Sequence, residues 1–155
     1  MSAEQAAYDP SVVEGKILIS GILANALIDS GATHSFASNA FVRKLGTTPE
    51  CLEVNYSVTI PSGDEIISNQ ILRACQILID GRSLCADFVV LNIQDFDVIL
   101  GMDWLTKYHA IIDCNRKQVK FQPPGEEQFI FNGVPRQGKL QVISAMKAKR
   151  MLSKG

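Results

Sequence analysis

One apolar run that ends in an acid limits this chain more than any other stretch: Ala26-Leu27-Ile28-Asp29-Ser30-Gly31-Ala32-Thr33-His34-Ser35-Phe36. Ala26, Leu27 and Ile28 have the character of a buried strand. A carboxylate directly after them stands at the rim of a core, where desolvation raises its pKa. Ser30 offers a hydroxyl that can fix the loop. Gly31 lets another backbone come close or takes a positive φ. Together they hold a carboxylate rigidly at a strand end, a setting suited to acid–base chemistry. Asp-Ser-Gly after a strand is also ordinary turn chemistry, because all three residues favour turns. The tripeptide alone does not separate a catalytic loop from a plain turn.

A second stretch, Asp97-Val98-Ile99-Leu100-Gly101, lies about seventy residues on. Asp-Ser-Gly-Ala followed at that distance by two apolar residues and a glycine resembles the retropepsin family of aspartic proteases. The wording LIDSGATHSF … DVILGMDWL is more narrowly similar to the protease of gypsy-type long-terminal-repeat retrotransposons, particularly those of plants. The resemblance spans Val12 to Phe121. It implies an all-β, retropepsin-like acid protease barrel with one or two short helices, active as a two-fold homodimer.

The chain has 155 residues, enough for one domain with a real core. With 46% hydrophobic and 20% charged residues, it reads as folded, not disordered. No apolar run approaches a membrane span, and no basic segment leads into a short apolar one as in a secretory signal. Cys51, Cys75, Cys85 and Cys114 are widely spaced and the only histidines are His34 and His109, so neither a zinc site nor another metal site is expected. In an unsignalled chain the cysteines read as reduced thiols. No organic cofactor is implied. The expected location is cytoplasmic, within virus-like particles if a transposon encodes the chain.

Three segments are expected: an N-terminal arm over 1–11, the protease domain over 12–122, and a C-terminal extension or linker over 123–155. Gln122-Pro123-Pro124-Gly125 is the strongest break. Charge changes there too: nine basic and sixteen acidic residues up to Glu127, then six basic and no acidic ones. The basic tail reads as a solvated linker, or as lying on the acidic body, in preference to a nucleic-acid contact.

Between these limits the pattern is mostly strands. Ile17-Leu18-Ile19-Ser20-Gly21 and Ile77-Leu78-Ile79-Asp80-Gly81 look alike, sixty residues apart, and each leads through a turn into another strand. Asn39 to Leu45 has helical spacing with Gly46 as a stop. Val54, Tyr56, Val58 and Ile60 alternate with polar residues, which predicts a half-buried strand. Pro61-Ser62-Gly63-Asp64 turns it back on Glu65 to Ile71, and Arg73 to Ile79 reads as a further strand. By resemblance the hairpin is the flap that closes over a bound peptide. Met102 to Tyr108 predicts a short helix, then a closing hairpin runs to Phe121.

Hydrolysing a peptide without a nucleophilic side chain takes two carboxylates that share a proton, one activating water and the other the carbonyl. This chain has one Asp-Ser-Gly, and Ile99-Leu100-Gly101 carries no equivalent acid. Two copies are therefore needed, with the site on their axis. Asp29 is the catalytic candidate. Ser30, Gly31, Ile99, Leu100 and Gly101 are expected to brace it. Gly31 and Ala32, with the hairpin tip Ile60, Pro61, Ser62 and Gly63, are expected to bind polypeptide as an added strand. The resemblance makes the element's own Gag-Pol polyprotein the expected substrate. A cellular protease with another substrate and a non-cleaving dimerisation or peptide-binding module are the alternatives. Ser30 stands where the family more often has Thr. His34 reads as a loop residue outside the catalytic pair, His109 as structural, and Asp95, Asp97 and Asp103 as acids at solvated strand and helix ends.

Overall fold

Two tight turns set the frame. Ser20-Gly21, with φ of 50° and 83°, joins β1 (Val12–Ile19) to β2 (Ile22–Asp29), and Asp80-Gly81, at 50° and 73°, joins β5 (Glu65–Ile79) to β6 (Arg82–Leu91). Successive left-handed residues match the twist of the flanking strands, as two-residue hairpins require. The two look-alike segments lie side by side: Leu18 pairs with Leu78 and Ile19 with Ile77. In this computed structural model, which describes residues 12–59, 65–113, 115–134 and 147–151, that contact closes the barrel.

Among the described residues an eight-stranded sheet runs β1-β2-β7-β3-β6-β5-β4-β11, and the β1–β5 pairing joins its sixth strand back to its first. The short members are β3 (Phe36–Ser38) and β7 (Val98–Leu100); β4 (Glu50–Thr59) and β11 (Lys147–Met151) extend beyond the closed part. A three-stranded sheet of β8 (Ala110–Asp113), β9 (Gln118–Phe121) and β10 (Phe129–Asn132) packs outside it. The fold is all-β, with two short helices among the described residues.

The central strands are buried on both faces. Ala26, Ile28, Val98 and Leu100 enter a large core with Trp104, Phe121 and Phe129. Leu27 and Ile99 point the other way, into a smaller core with Ala32, Phe36 and Val58. This explains why the sequence before Asp29 is continuously apolar instead of alternating. Helix α1 (Asn39–Leu45) begins where Ser38 Oγ accepts the Phe41 N–H at 3.0 Å and ends at Gly46, whose φ of 72° closes the last turn. Helix α2 (Met102–Lys107) follows β7 directly and buries Trp104 and Leu105.

Two sequence expectations need correction. Glu65–Ile71 and Arg73–Ile79 are one strand, bent where the register shifts between Leu72 and Cys75. Ala74 sits there at φ 54°, and Asp87 Oδ1 accepts its N–H at 2.7 Å. The bulge bends the strand without ending it. Second, the packed body continues past Gln122. Phe129 stacks on Phe121 with centroids 4.8 Å apart, and Phe129 and Phe131 belong to the large core. Gly133 N–H donates to Lys117 O and Val134 N–H to Glu14 O, each at 2.8 Å. Gly15 makes room for this: a Cβ there would lie 2.4 Å from Phe131 Cζ. Pro123-Pro124-Gly125 is thus a turn between β9 and β10.

Candidate active site

Asp29 is the last residue of β2 and is fully buried, paired in register with Val12. Its backbone turns at once: Ala32 N–H donates to Asp29 O at 3.2 Å. Its side chain is oriented by the loop, because Gly31 N–H donates to Asp29 Oδ1 at 2.8 Å. A charge-assisted bond of this kind fixes a carboxylate rotamer. Ser30 is exposed at the outside of the turn.

The loop from Ser30 to Ser35 is wrapped around β7. Strand β7 runs parallel to β2, with Ile28 beside Leu100, and antiparallel to β3, with Phe36 beside Ile99. Ile99, Leu100 and Gly101 are all buried. The chain therefore leaves β2, passes over the end of β7 and returns as β3. Gly101 lies under this arch, and a Cβ on it would stand 2.3 Å from His34 O and 2.7 Å from Ala32 O. Only glycine permits so close an approach. Met102 N–H then donates to Ala32 O at 2.8 Å, stitching the far side of the arch to α2.

Ser35 and Asp103 complete the arch, and neither was among the expected bracing residues. Buried Ser35 Oγ accepts the Gly101 N–H at 3.0 Å and donates to Asp103 Oδ1 at 2.7 Å. Asp103 Oδ2 accepts the Ser35 N–H at 3.3 Å, while Oδ1 accepts the Trp104 N–H at 2.8 Å. In the sequence Asp103 reads only as an acid at a solvated helix end. Its partner is 68 residues away in sequence, so no local signal could have joined them. Asp97 is likewise engaged: its Oδ2 accepts the Asn25 N–H at 2.8 Å, across the β2–β7 pair.

The β4–β5 hairpin rests on this loop. Val58 is fully buried in the smaller core beside Ala32 and Leu27. Tyr56 meets the His34 ring edge-on, with centroids 5.4 Å apart. His34, Ser35, Tyr56, Asp87 and Asp103 help to line a cleft of about 260 Å³ beside the arch. The hairpin tip, Ile60, Pro61, Ser62 and Gly63, and Cys114 lie outside the described residues. His109 occupies a left-handed turn after α2, at φ 52°. Among the described residues no group of His, Cys, Asp and Glu could hold a metal ion, and no helix is long and apolar enough to cross a membrane.

An acid-bearing loop arched over the glycine that ends a second central strand, within a closed β-barrel, defines a retropepsin-like fold. The chain belongs to the family described as Retroviral aspartyl protease, which it matches over residues 1–127. Among solved structures it is similar to the retroviral protease-like domain of Ddi1 from Leishmania major, with 17% identity over 80% of this chain and 91% of that one and a TM-score of 0.60. EIAV protease complexed with the inhibitor HBY-793 matches 64% of this chain and 90% of its own at 21% identity and TM-score 0.44. Simian foamy virus (mac) protease matches 60% and 91% at 19% identity and 0.41. No curated protein sequence matches it.

Proposed function

We propose that this protein is an aspartic endopeptidase that works as a two-fold homodimer, with Asp29 of each copy sharing one proton over the attacking water. The observation that carries the reading is the state of Asp29: a carboxylate at a strand end, fully buried and oriented by Gly31 N–H. An acid buried at the monomer level needs a purpose, because desolvation is costly. One step beyond the Ile28–Leu100 pair the chain offers Gly101, not a second acid. A second copy supplies it, and repulsion between the two carboxylates keeps one proton between them.

In the catalytic step one carboxylate takes a proton from water as its oxygen attacks the peptide carbonyl. The protonated partner gives its hydrogen to the carbonyl oxygen. Gly31 and Ala32, together with residues 60–63 of the hairpin, hold the polypeptide as an added strand. The substrate favoured is the polyprotein of a gypsy-type retrotransposon, supported by the sequence LIDSGATHSF … DVILGMDWL. The test is Asp29→Asn. Circular dichroism should be unchanged while peptide turnover falls by at least about 10²-fold, the lower range for losing a general acid–base group. Turnover retained by the purified variant overturns the assignment.

A further inference from the structure

We infer that the outer edge of β4 is a docking edge for an extended basic peptide, and that the chain's own segment Lys147–Met151 is its resident occupant. The placement comes from backbone pairing. Strand β11 runs antiparallel to β4, with Lys147 opposite Thr59, Ala148 opposite Val58, Lys149 opposite Ser57, Arg150 opposite Tyr56 and Met151 opposite Asn55. It is the last strand of the large sheet, so β4 lies between β5 and β11. Without β11, the N–H and C=O groups on that side of β4 would form an open edge, a template for any extended chain.

That edge is close to the chemistry. Tyr56 and Val58 are the β4 residues that rest on His34 and beside Ala32 of the Asp29 loop. Arg150 and Ala148 stand opposite those two residues. A strand laid on β4 thus runs beside the hairpin segment that covers the loop. Charge favours this occupant: the chain up to Glu127 has nine basic and sixteen acidic residues, whereas the remainder has six basic and none acidic. Long-range attraction raises the local concentration of such a tail near the body. Resting on the proposed endopeptidase function, the consequence is competition. A polypeptide held at Gly31 and Ala32 that extends along Asn55–Thr59 of β4 must displace the resident strand from that edge.

The experiment uses the full chain carrying Asp29→Asn, so that no peptide is consumed, with and without the pair Ala148→Pro and Lys149→Pro. Proline removes a strand's donor, and two adjacent prolines remove it whichever residue faces β4. Residue-resolved amide exchange is the readout. In an antiparallel ladder alternate residues of β4 face β11 and the others face β5. Alternate amides within Asn55–Thr59 should therefore lose protection by about tenfold or more as local opening becomes cheap, while the amides bonded to β5 keep theirs. Protection across Val12–Ile19 shows that the barrel is intact; should the double variant lose it, Ala148→Pro and Lys149→Pro are each used alone, and one of the two must alter β4 exchange. A synthetic peptide, Lys-Ala-Lys-Arg-Met, should restore protection in the proline variant and leave the chain without prolines unchanged. Unaltered β4 exchange, or equal peptide binding by both chains, overturns the resident strand. Competition is read with Asp29 present: the prolines should lower KM several-fold and leave kcat unchanged. Unchanged KM with altered exchange refutes the competition. Absence of turnover in every form with Asp29 rejects the endopeptidase reading, and the exchange result still decides the strand.

Discussion

Ser35 and Asp103, 68 residues apart, hold the loop that bears Asp29 closed over β7 through a 2.7 Å hydrogen bond between Ser35 Oγ and Asp103 Oδ1. The hydroxyl is also the acceptor for the Gly101 N–H. Ser35→Ala leaves that buried donor without its acceptor, which costs about 1–3 kcal/mol. Asp103→Asn keeps one acceptor oxygen for Ser35 Oγ and the Trp104 N–H but loses the charge and sets an NH2 donor against the Ser35 N–H, so its cost should be at least as large. Urea denaturation of the two variants checks the order. Equal stability of Ser35→Ala and the parent chain would show that the arch does not depend on this bond.

Gly101 and Gly15 offer a graded comparison of close packing. A Cβ at 101 meets backbone, His34 O at 2.3 Å, which cannot move without opening the arch. A Cβ at 15 meets the far end of the Phe131 ring at 2.4 Å, which can swing away at the expense of its contacts. Gly101→Ala is expected to cost at least about 3 kcal/mol, the upper part of the overpacking range, and to misplace Asp29. Gly15→Ala should cost less and leave turnover per folded molecule intact. Thermal unfolding and peptide hydrolysis, measured together, test both halves.

Stability should fall at alkaline pH. Burial pushes the Cys75 thiol above its ordinary value of 9.0, helped by the charges of Asp87 and Cys85. Burial also raises Tyr108 above 10.0, against the opposing backbone hydrogen bond with Cys85. For both groups the folded state keeps a proton that the unfolded chain has released. Their contribution is complete below the unfolded values and is lost as pH rises through the raised ones. On the acid side Asp113 works in the other direction. The Arg116 N–H, with the charges of Lys120 and Arg116, holds it below 3.8 against desolvation, so its contribution is lost only as pH falls below that value. Melting temperature should therefore decline from about pH 9 upward, and Cys75→Ala should make that decline shallower. A slope unchanged by the substitution would exclude Cys75 as a source.

Local chemistry was legible in the sequence, and pairing across long separations was not. Gly46 announces the end of α1, and Ser20-Gly21 and Asp80-Gly81 announce their hairpins, because helix stops and tight turns are decided within a few residues. Asp29-Ser30-Gly31 reads locally only as a turn after a strand, and it is the resemblance, not local chemistry, that sets it beside Ile99-Leu100-Gly101. Ala74 gives no such notice: its positive φ is set by the β6 partner and Asp87, so one bent strand looks like two. Gly15 looks like a weak point in β1 until Phe131 is seen lying on it. Asp103 looks like a helix-start acid until Ser35 is brought to it.

The same long-range packing changes where the chain can be cut. An end near Gln122 follows the Pro-Pro-Gly signal but removes Phe129 and Phe131 from the large core. Truncating a buried phenylalanine costs about 3–5 kcal/mol, and two lost together rival the whole stability of a small domain. A chain ending at Gln122 is expected to be unfolded or molten. One ending after Val134 keeps β10 and its bonds to Lys117 and Glu14, and should give a cooperative transition. Near-ultraviolet circular dichroism of the two forms decides. Native signal from the shorter one would show that β10 is dispensable.

The shared site can be tested by mixing. One chain offers one Asp29, and one step beyond the Ile28–Leu100 pair β7 is followed by Gly101 and not by an acid, so a two-carboxylate mechanism requires both copies. Equal amounts of wild type and Asp29→Asn, allowed to exchange, should yield about one quarter doubly wild-type dimers by random pairing. A mixed dimer carries an Asp–Asn pair and lacks the partner with which Asp29 shares its proton. Turnover per wild-type chain should then fall to about one half at saturating dimerisation. Exchange is verified with differently tagged chains recovered together. If exchange is complete and the added variant leaves turnover unchanged, each chain acts alone, and the site assembled from two copies of Asp29 is wrong.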